Sequence, residues 1–248
     1  MHKTTTFFIL FSLLAVPVLA QQSGGITSIY VIEAKHGMEQ QYEDALKQHN
    51  EWHRQQNDDW TWQTWQYETG EQFGQYLIRT AGHQWEDFDA KSEFAELDRA
   101  DAMAKLWPYI ESISSGLSRS LIDVSLLRDG PSSLVQVTNY YLHPDKVADF
   151  TYALQKGHDA LVKANWPGRF LWTQRISGGE TPMFSVVALL RSWADMTPPD
   201  KTLAQAMIEV LGPQEARSIF SNFSGSIRSQ DTHLLRYRPD LSYVPSGQ

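Results

Sequence analysis

Residues 26–34, ITSIYVIEA, and residues 133–141, SLVQVTNYY, decide the fold, because each reads as a β-branched strand followed by an amphipathic helix. Behind the first, Met38, Tyr42, Ala45, Leu46, His49 and Trp52 recur at helical spacing. Behind the second, which Pro144 opens, Val147, Phe150, Leu154, His158 and Leu161 do the same. Each helix therefore has one apolar face. Two strands follow on each side, about 60–68 and 73–81 in the first half and 169–176 and 182–190 in the second, with turns at Thr69-Gly70 and Ser177-Gly178-Gly179. A helical region comes next, broken by Pro108 in one half and by Pro198-Pro199 and Gly212-Pro213 in the other. Each half then closes on a strand, expected at 118–128 and 226–237.

The two halves share a register. Adding 108 to a residue number carries Ala45-Leu46 onto Ala153-Leu154, Gly70 onto Gly178, and Trp85 with Asp87 onto Trp193 with Asp195. It also carries Asp123 with Leu126-Leu127-Arg128 onto Asp231 with Leu234-Leu235-Arg236. The order β-α-β-β-α-β in each half is that of the ferredoxin-like split βαβ unit. The expected class is α+β, with one unit at 26–128, a second at 133–240, and Arg128-Asp129-Gly130-Pro131 in the linker between them.

Composition sets the setting. The chain has 248 residues, 42% of them hydrophobic and 20% charged, as in ordinary globular proteins. Residues 1–20, MHKTTTFFILFSLLAVPVLA, read as a secretory signal peptide: Lys3, an apolar run from Phe7 to Val16, and Val18-Leu19-Ala20 before the cut. Ten or so apolar residues fall short of the roughly 20 that a bilayer span needs. The mature chain is expected to be soluble, periplasmic or extracellular, and a monomer or weak homo-oligomer. Its formal charge, −8 for the whole chain, disfavours nucleic acid and anionic membranes. The absence of cysteine excludes disulfides, thiolate catalysis and Cys-ligated metal. Nine Trp are many for this length and favour large rigid apolar surfaces in a core or a pocket.

Element order, the duplication, and the Trp-x-Asp pair after each hairpin (Trp85 and Asp87; Trp193 and Asp195) make the chain resemble a tandem member of the dimeric α/β-barrel superfamily. That group includes antibiotic-biosynthesis-type and haem-degrading monooxygenases and the NIPSNAP and EthD-like proteins. The resemblance implies that the two sheets pair into one barrel-like domain, with a ligand pocket between sheet and helices. It implies oxidoreductase chemistry of the monooxygenase kind if the chain is an enzyme. A haem is the cofactor such relatives would suggest, although the residues themselves call for none.

The candidate ligand-binding residues are His49, Trp52, Trp62, Trp65, Tyr76, Trp85 and His158, concentrated in the first unit. His49 and His158, one residue out of register, sit on the apolar faces of their helices. There a histidine can act as a general base, bond a substrate carbonyl or ligate iron; it can equally be a core residue bonded to a backbone carbonyl. His49 and His53 stand four apart in HNEWH, a spacing that can place two imidazoles on one ion. The Glu is misplaced for a zinc-hydrolase motif and no third ligand suggests itself, so no metal is expected. Trp60 and Trp62 fall on one strand face, Trp65 and Tyr67 on the other. Three readings stay open: binding of a small apolar or aromatic molecule in the first unit, monooxygenase-like turnover with His49 as candidate catalytic residue, and a non-catalytic scaffold.

Overall fold

The computed structural model describes residues 25–127, 130 and 132–245. The expected signal peptide lies outside the described residues, as do Arg128, Asp129 and Pro131 of the expected linker. The first unit runs β1 (Ile26–Ala34), α1 (Glu39–Gln55), β2 (Gln63–Tyr67), β3 (Tyr76–His83), α2 (Trp85–Ala90), α3 (Ser92–Lys105) and β4 (Ile110–Ser120). The second runs β5 (Leu134–Leu142), α4 (Val147–Lys163), β6 (Phe170–Ser177), β7 (Met183–Leu190), α5 (Leu203–Leu211), α6 (Pro213–Ser226) and β8 (Ile227–Tyr237). Among the described residues no helix is long and apolar enough to cross a membrane.

The eight strands, all antiparallel, close into a barrel in the order β1-β3-β2-β8-β5-β7-β6-β4. Each unit alone would leave two sheet edges unpaired. Pairing β2 with β8 (Trp65 opposite Tyr237) and β4 with β6 (Ser120 opposite Thr173) removes them. Eight strands enclose a space that side chains can fill. Trp65, Val135 and Leu235 form its buried core, with Tyr67, Leu77 and Tyr237 packed around them. The opposite face of every strand meets the helices.

Strand alternation sorts the aromatic residues as the sequence predicts: Trp65 and Tyr67 turn into the barrel, Trp60 and Trp62 toward the helices. The expected turn at Thr69-Gly70 is present. Gly70 holds φ +89, and a Cβ there would fall 2.3 Å from His233 Nδ1 of β8, so both backbone and neighbour demand glycine.

The final strand of the first unit is a correction. It occupies 110–120, eight residues earlier than expected, and the apolar stretch that imitated it forms a 3-10 turn at Ile122–Val124. The real strand, IESISSGLSRS, carries few apolar residues, and Ile113 and Ser115 on one of its faces line a cavity and not a packed core. The register changes with it. Tyr30 faces Ser115 and Thr138 faces Thr232, so the offset is 108 on the first strand of each unit but 117 on the last. The additional residues belong to the helical region, where the second unit carries α5, opened by a capping box between Thr202 and Gln205. The equivalent of Asp123 is therefore Asp240 and not Asp231. Ser125 and Ser242, two residues on, do the same work: each hydroxyl bonds the carbonyl four residues back and accepts the backbone N–H of Trp172 or Thr64.

The segments after β4 and β8 are exchanged between units. Leu121 and Val124 pack in the core of the second unit, whereas Leu241 is fully buried in the core of the first, among Tyr42, Leu46, Tyr76 and Ile78.

Candidate functional site

Helix α1 presents His49 and His53, one turn apart, toward the sheet of the first unit, and α3 lays Asp98 and Asp101 against them. His49 Nδ1 lies 2.7 Å from Asp101 Oδ2, and His53 Nδ1 lies 3.0 Å from Asp58 Oδ2. Asp58, almost wholly buried, also accepts from Lys91 Nζ at 2.7 Å, Trp62 Nε1 at 3.0 Å and the Trp60 backbone N–H at 3.2 Å. Burial works against its charge, but the hydrogen bonds from His53, Lys91, Trp62 and Trp60 outweigh that and hold its carboxyl well below the usual carboxylate range. Burial likewise opposes charge on Asp101, and the hydrogen bonds from His49 and Lys105 still lower its pKa.

An ionised carboxylate only accepts hydrogen bonds. Each imidazole must therefore carry a proton on Nδ1, and in its neutral form it presents Nε2 as a lone pair. The two Nε2 atoms face each other at 3.2 Å. Asp98 Oδ1 stands 3.1 Å from the His49 nitrogen and 3.4 Å from that of His53; it is cut off from solvent and has no hydrogen-bond partner. Three acceptors converge on one point. The rings are fixed by stacking: Trp52 lies parallel to His49 with centroids 5.8 Å apart, and Tyr243 lies over His53 at 5.5 Å.

This group forms one wall of a cavity of about 400 Å³ between helices and sheet, with Tyr30, Ile32, Trp62 and Ile113 on the sheet side and Ala102 and Leu106 among the helical walls. A second cavity of about 370 Å³ adjoins it and shares Tyr30, Trp62, Asp98 and Ser115; Trp60, Phe88, Lys91 and Phe94 complete much of its wall. Lys91 places its ammonium 4.6 Å from the centre of the Phe94 ring. The closed end is tight. Gly178, at φ +83, approaches β4 so closely that a Cβ would fall 2.1 Å from the Ser115 carbonyl oxygen.

Of the seven residues proposed from sequence, the structure brings His49 and Trp62 to the cavity. Trp52 backs His49 from behind, in contact with Phe94. Trp65 turns into the barrel instead, and Tyr76 lies under α1 against Tyr42 with its hydroxyl donating to Glu43. Trp85, 46% exposed, opens α2 on the surface. His158 is on α4 of the second unit, 3.6 Å from Asp159 and lining neither cavity. A one-residue offset turns a helical side chain by about 100°, and the residue in strict register with His49 is Gly157, whose surroundings include Met207 of the added helix α5.

Sequence reasoning missed Asp58, Lys91, Asp98 and Asp101. The signal for the last two was their i, i+3 spacing on α3, hidden among the other charged residues of SEFAELDRADAMAK.

The equivalent space of the second unit is packed. Its helix–sheet space is filled by Phe150, Trp172, Phe184, Tyr140 and Phe223, with ring centroids 5.0–6.4 Å apart. Where the first unit has His49 and His53, the second has Gly157 and Leu161.

No protein-family model matches the sequence, and no curated protein matches it. Solved structures do. A protein assigned as a monooxygenase from Lactobacillus acidophilus superposes with a TM-score of 0.55 at 8% identity, over 90% of this chain and 97% of that one. An anthrone oxidase-like protein gives 0.51 at 11% identity, over 87% and 92%. Chlorite dismutase from Candidatus Nitrospira defluvii in complex with imidazole gives 0.55 at 9% identity, over 88% and 92%. At such identities the likeness is one of fold, and that fold is the dimeric α/β barrel, closed here by two ferredoxin-like units of one chain.

Proposed function

We propose that the protein binds a small molecule with an apolar or aromatic body in the cavity of the first unit, with the polar end of the ligand at His49, His53 and Asp98. The observation that carries this reading is the asymmetry of the duplication: the same space is packed with aromatic rings in one unit and hollow in the other. The hollow has the size of ordinary ligand sites, and its wall is mostly apolar with a few convergent polar groups. The neutral probe N-phenyl-1-naphthylamine is expected to bind one per chain, with a blue-shifted emission and quenching of Trp fluorescence. His158→Ala is expected to leave binding unchanged. Folded protein that takes up no probe would sink the reading.

Turnover is the second reading, favoured by neighbours of this fold assigned as a monooxygenase or named anthrone oxidase-like. In it, O2 delivers one oxygen atom to a bound activated CH2 group and the other leaves as water. The substrate itself supplies the two further electrons, and, with no ion at the site, a histidine Nε2 takes the first proton. Chain-dependent oxygen uptake with anthrone is the check; no uptake argues for binding alone.

Haem fits these residues poorly. A haem iron offers one axial position on each face, whereas here three ligand atoms crowd one point, and the helix–sheet space of the second unit is occupied by packed rings. We read the site as a non-haem one. Residues 1–20 are proposed to direct export, so that exported protein should give an intact mass beginning at Gln21; a mass that retains Met1 would refute cleavage.

A further inference from the structure

We infer that His49 Nε2, His53 Nε2 and Asp98 Oδ1 are the protein ligands of a mononuclear site for a divalent first-row transition-metal ion, with the remaining coordination positions open to the cavity. The inference deepens the proposed function and rests on the same cavity, although ion binding can be read separately from ligand binding.

Carboxylates fix Nδ1–H on both rings, so two lone pairs and a carboxylate oxygen meet without a donor between them. A proton can serve one pair of these atoms at a time, whereas an ion serves all three. Geometry agrees. With metal–ligand bonds of about 2.1 Å, separations of 3.1–3.4 Å subtend angles of about 95–110° at a common centre. That range runs from facial octahedral to tetrahedral coordination. Two imidazoles select a transition ion over magnesium or calcium, and one carboxylate beside them matches the ligand sets of catalytic zinc and non-haem iron sites.

The surroundings are those of a held site. Asp101 and Asp58 anchor the outer nitrogens, and Trp52 and Tyr243 fix the ring planes. Asp58 is itself tied to Lys91 and Trp62, so its lone pairs are engaged away from the centre. The counterpart positions Gly157 and Leu161 could ligate nothing, which confines the site to the hollow unit.

Chelator-treated full chain titrated with cobalt(II) tests this by equilibrium dialysis and by the visible absorption of the bound ion. One ion per chain is expected. Binding should weaken at least 100-fold in Asp98→Ala and His49→Gln, and about 10- to 100-fold in Asp101→Asn, which touches only the outer nitrogen of His49. If His49→Gln fails to fold by circular dichroism, Asp98→Ala, at a partly exposed position, carries the test. Folded wild-type chain that binds no cobalt, or binding that Asp98→Ala leaves unchanged, overturns the inference. Cobalt binding without naphthylamine binding would uphold the metal centre and sink the apolar-ligand reading; the reverse would sink the metal centre alone.

Discussion

Replacing Asp58 with Ala is expected to destabilise the protein by about 3 kcal/mol, the lower end of what breaking a buried charge pair costs. The substitution leaves His53 Nδ1, Trp62 Nε1 and the Trp60 N–H without their acceptor, and Lys91 with only Asp59 in reach. Lys91 is 21% exposed and can recover some hydration, which is why the lower end applies. For a chain of this length the melting temperature should fall by about 6–12 °C. Asp58→Asn should help little, because its amide offers one acceptor oxygen where the carboxylate uses two.

The pH dependence follows from the same group. The folded-state pKa of Asp58 is depressed below the ordinary Asp value of 3.8, so its contribution is fully present above that value and is lost as pH falls from there toward the folded pKa. Wild type should therefore lose stability below about pH 4 more steeply than either variant. Urea midpoints at pH 7 and pH 3 measure both effects. A loss under 1 kcal/mol at pH 7, or parallel pH profiles, would show that the network around Asp58 holds little.

Ser115→Trp is expected to weaken naphthylamine binding at least 100-fold, about 2.8 kcal/mol of binding free energy, while changing stability by less than about 1 kcal/mol. Ser115 stands on β4 opposite Tyr30 and belongs to the walls of both cavities. Its side chain is exposed only because the cavity is open, and an indole is well suited to a strand. The ring would fill space without displacing core. Thr232, the residue in the same place of the second unit by the register of 117, is exposed and supplies the control: Thr232→Trp should bind the probe like wild type. Equal loss in both variants would place the probe elsewhere.

The fold was legible because its periodicities are strong where burial is two-sided. Tyr42, Ala45 and Leu46 on α1 and Phe150, Ala153 and Leu154 on α4 face sheets in both units, and their apolar spacing shows it. Strand β4 was misplaced for the converse reason. Ser112, Ser114 and Ser115 are exposed, so little apolar marks the strand, while the stretch 121–124 imitates one because Leu121 and Val124 pack into the other unit. The site was half legible. His49 and His53 announced themselves by spacing; Asp98 and Asp101 did not, since a carboxylate that packs against a histidine of another helix looks in sequence like one that faces water. Trp65 and Tyr76 show the limit of composition, being aromatic residues of the right unit that belong to its core.

The exchanged segment at 239–243 bears on when the site can exist during synthesis. Leu241 completes the core under α1, its carbonyl accepts from Asn50 Nδ2, and Tyr243 covers His53 while its hydroxyl donates to the Asp58 carbonyl at 2.6 Å. The ribosome adds these residues some 190 positions after the helix they prop. A nascent or truncated chain can form the first sheet but not hold its histidine pair. The geometry of the site therefore waits for the second unit, and a fragment ending before Pro239 should lack the support of Asn50 and His53 however well its first half folds.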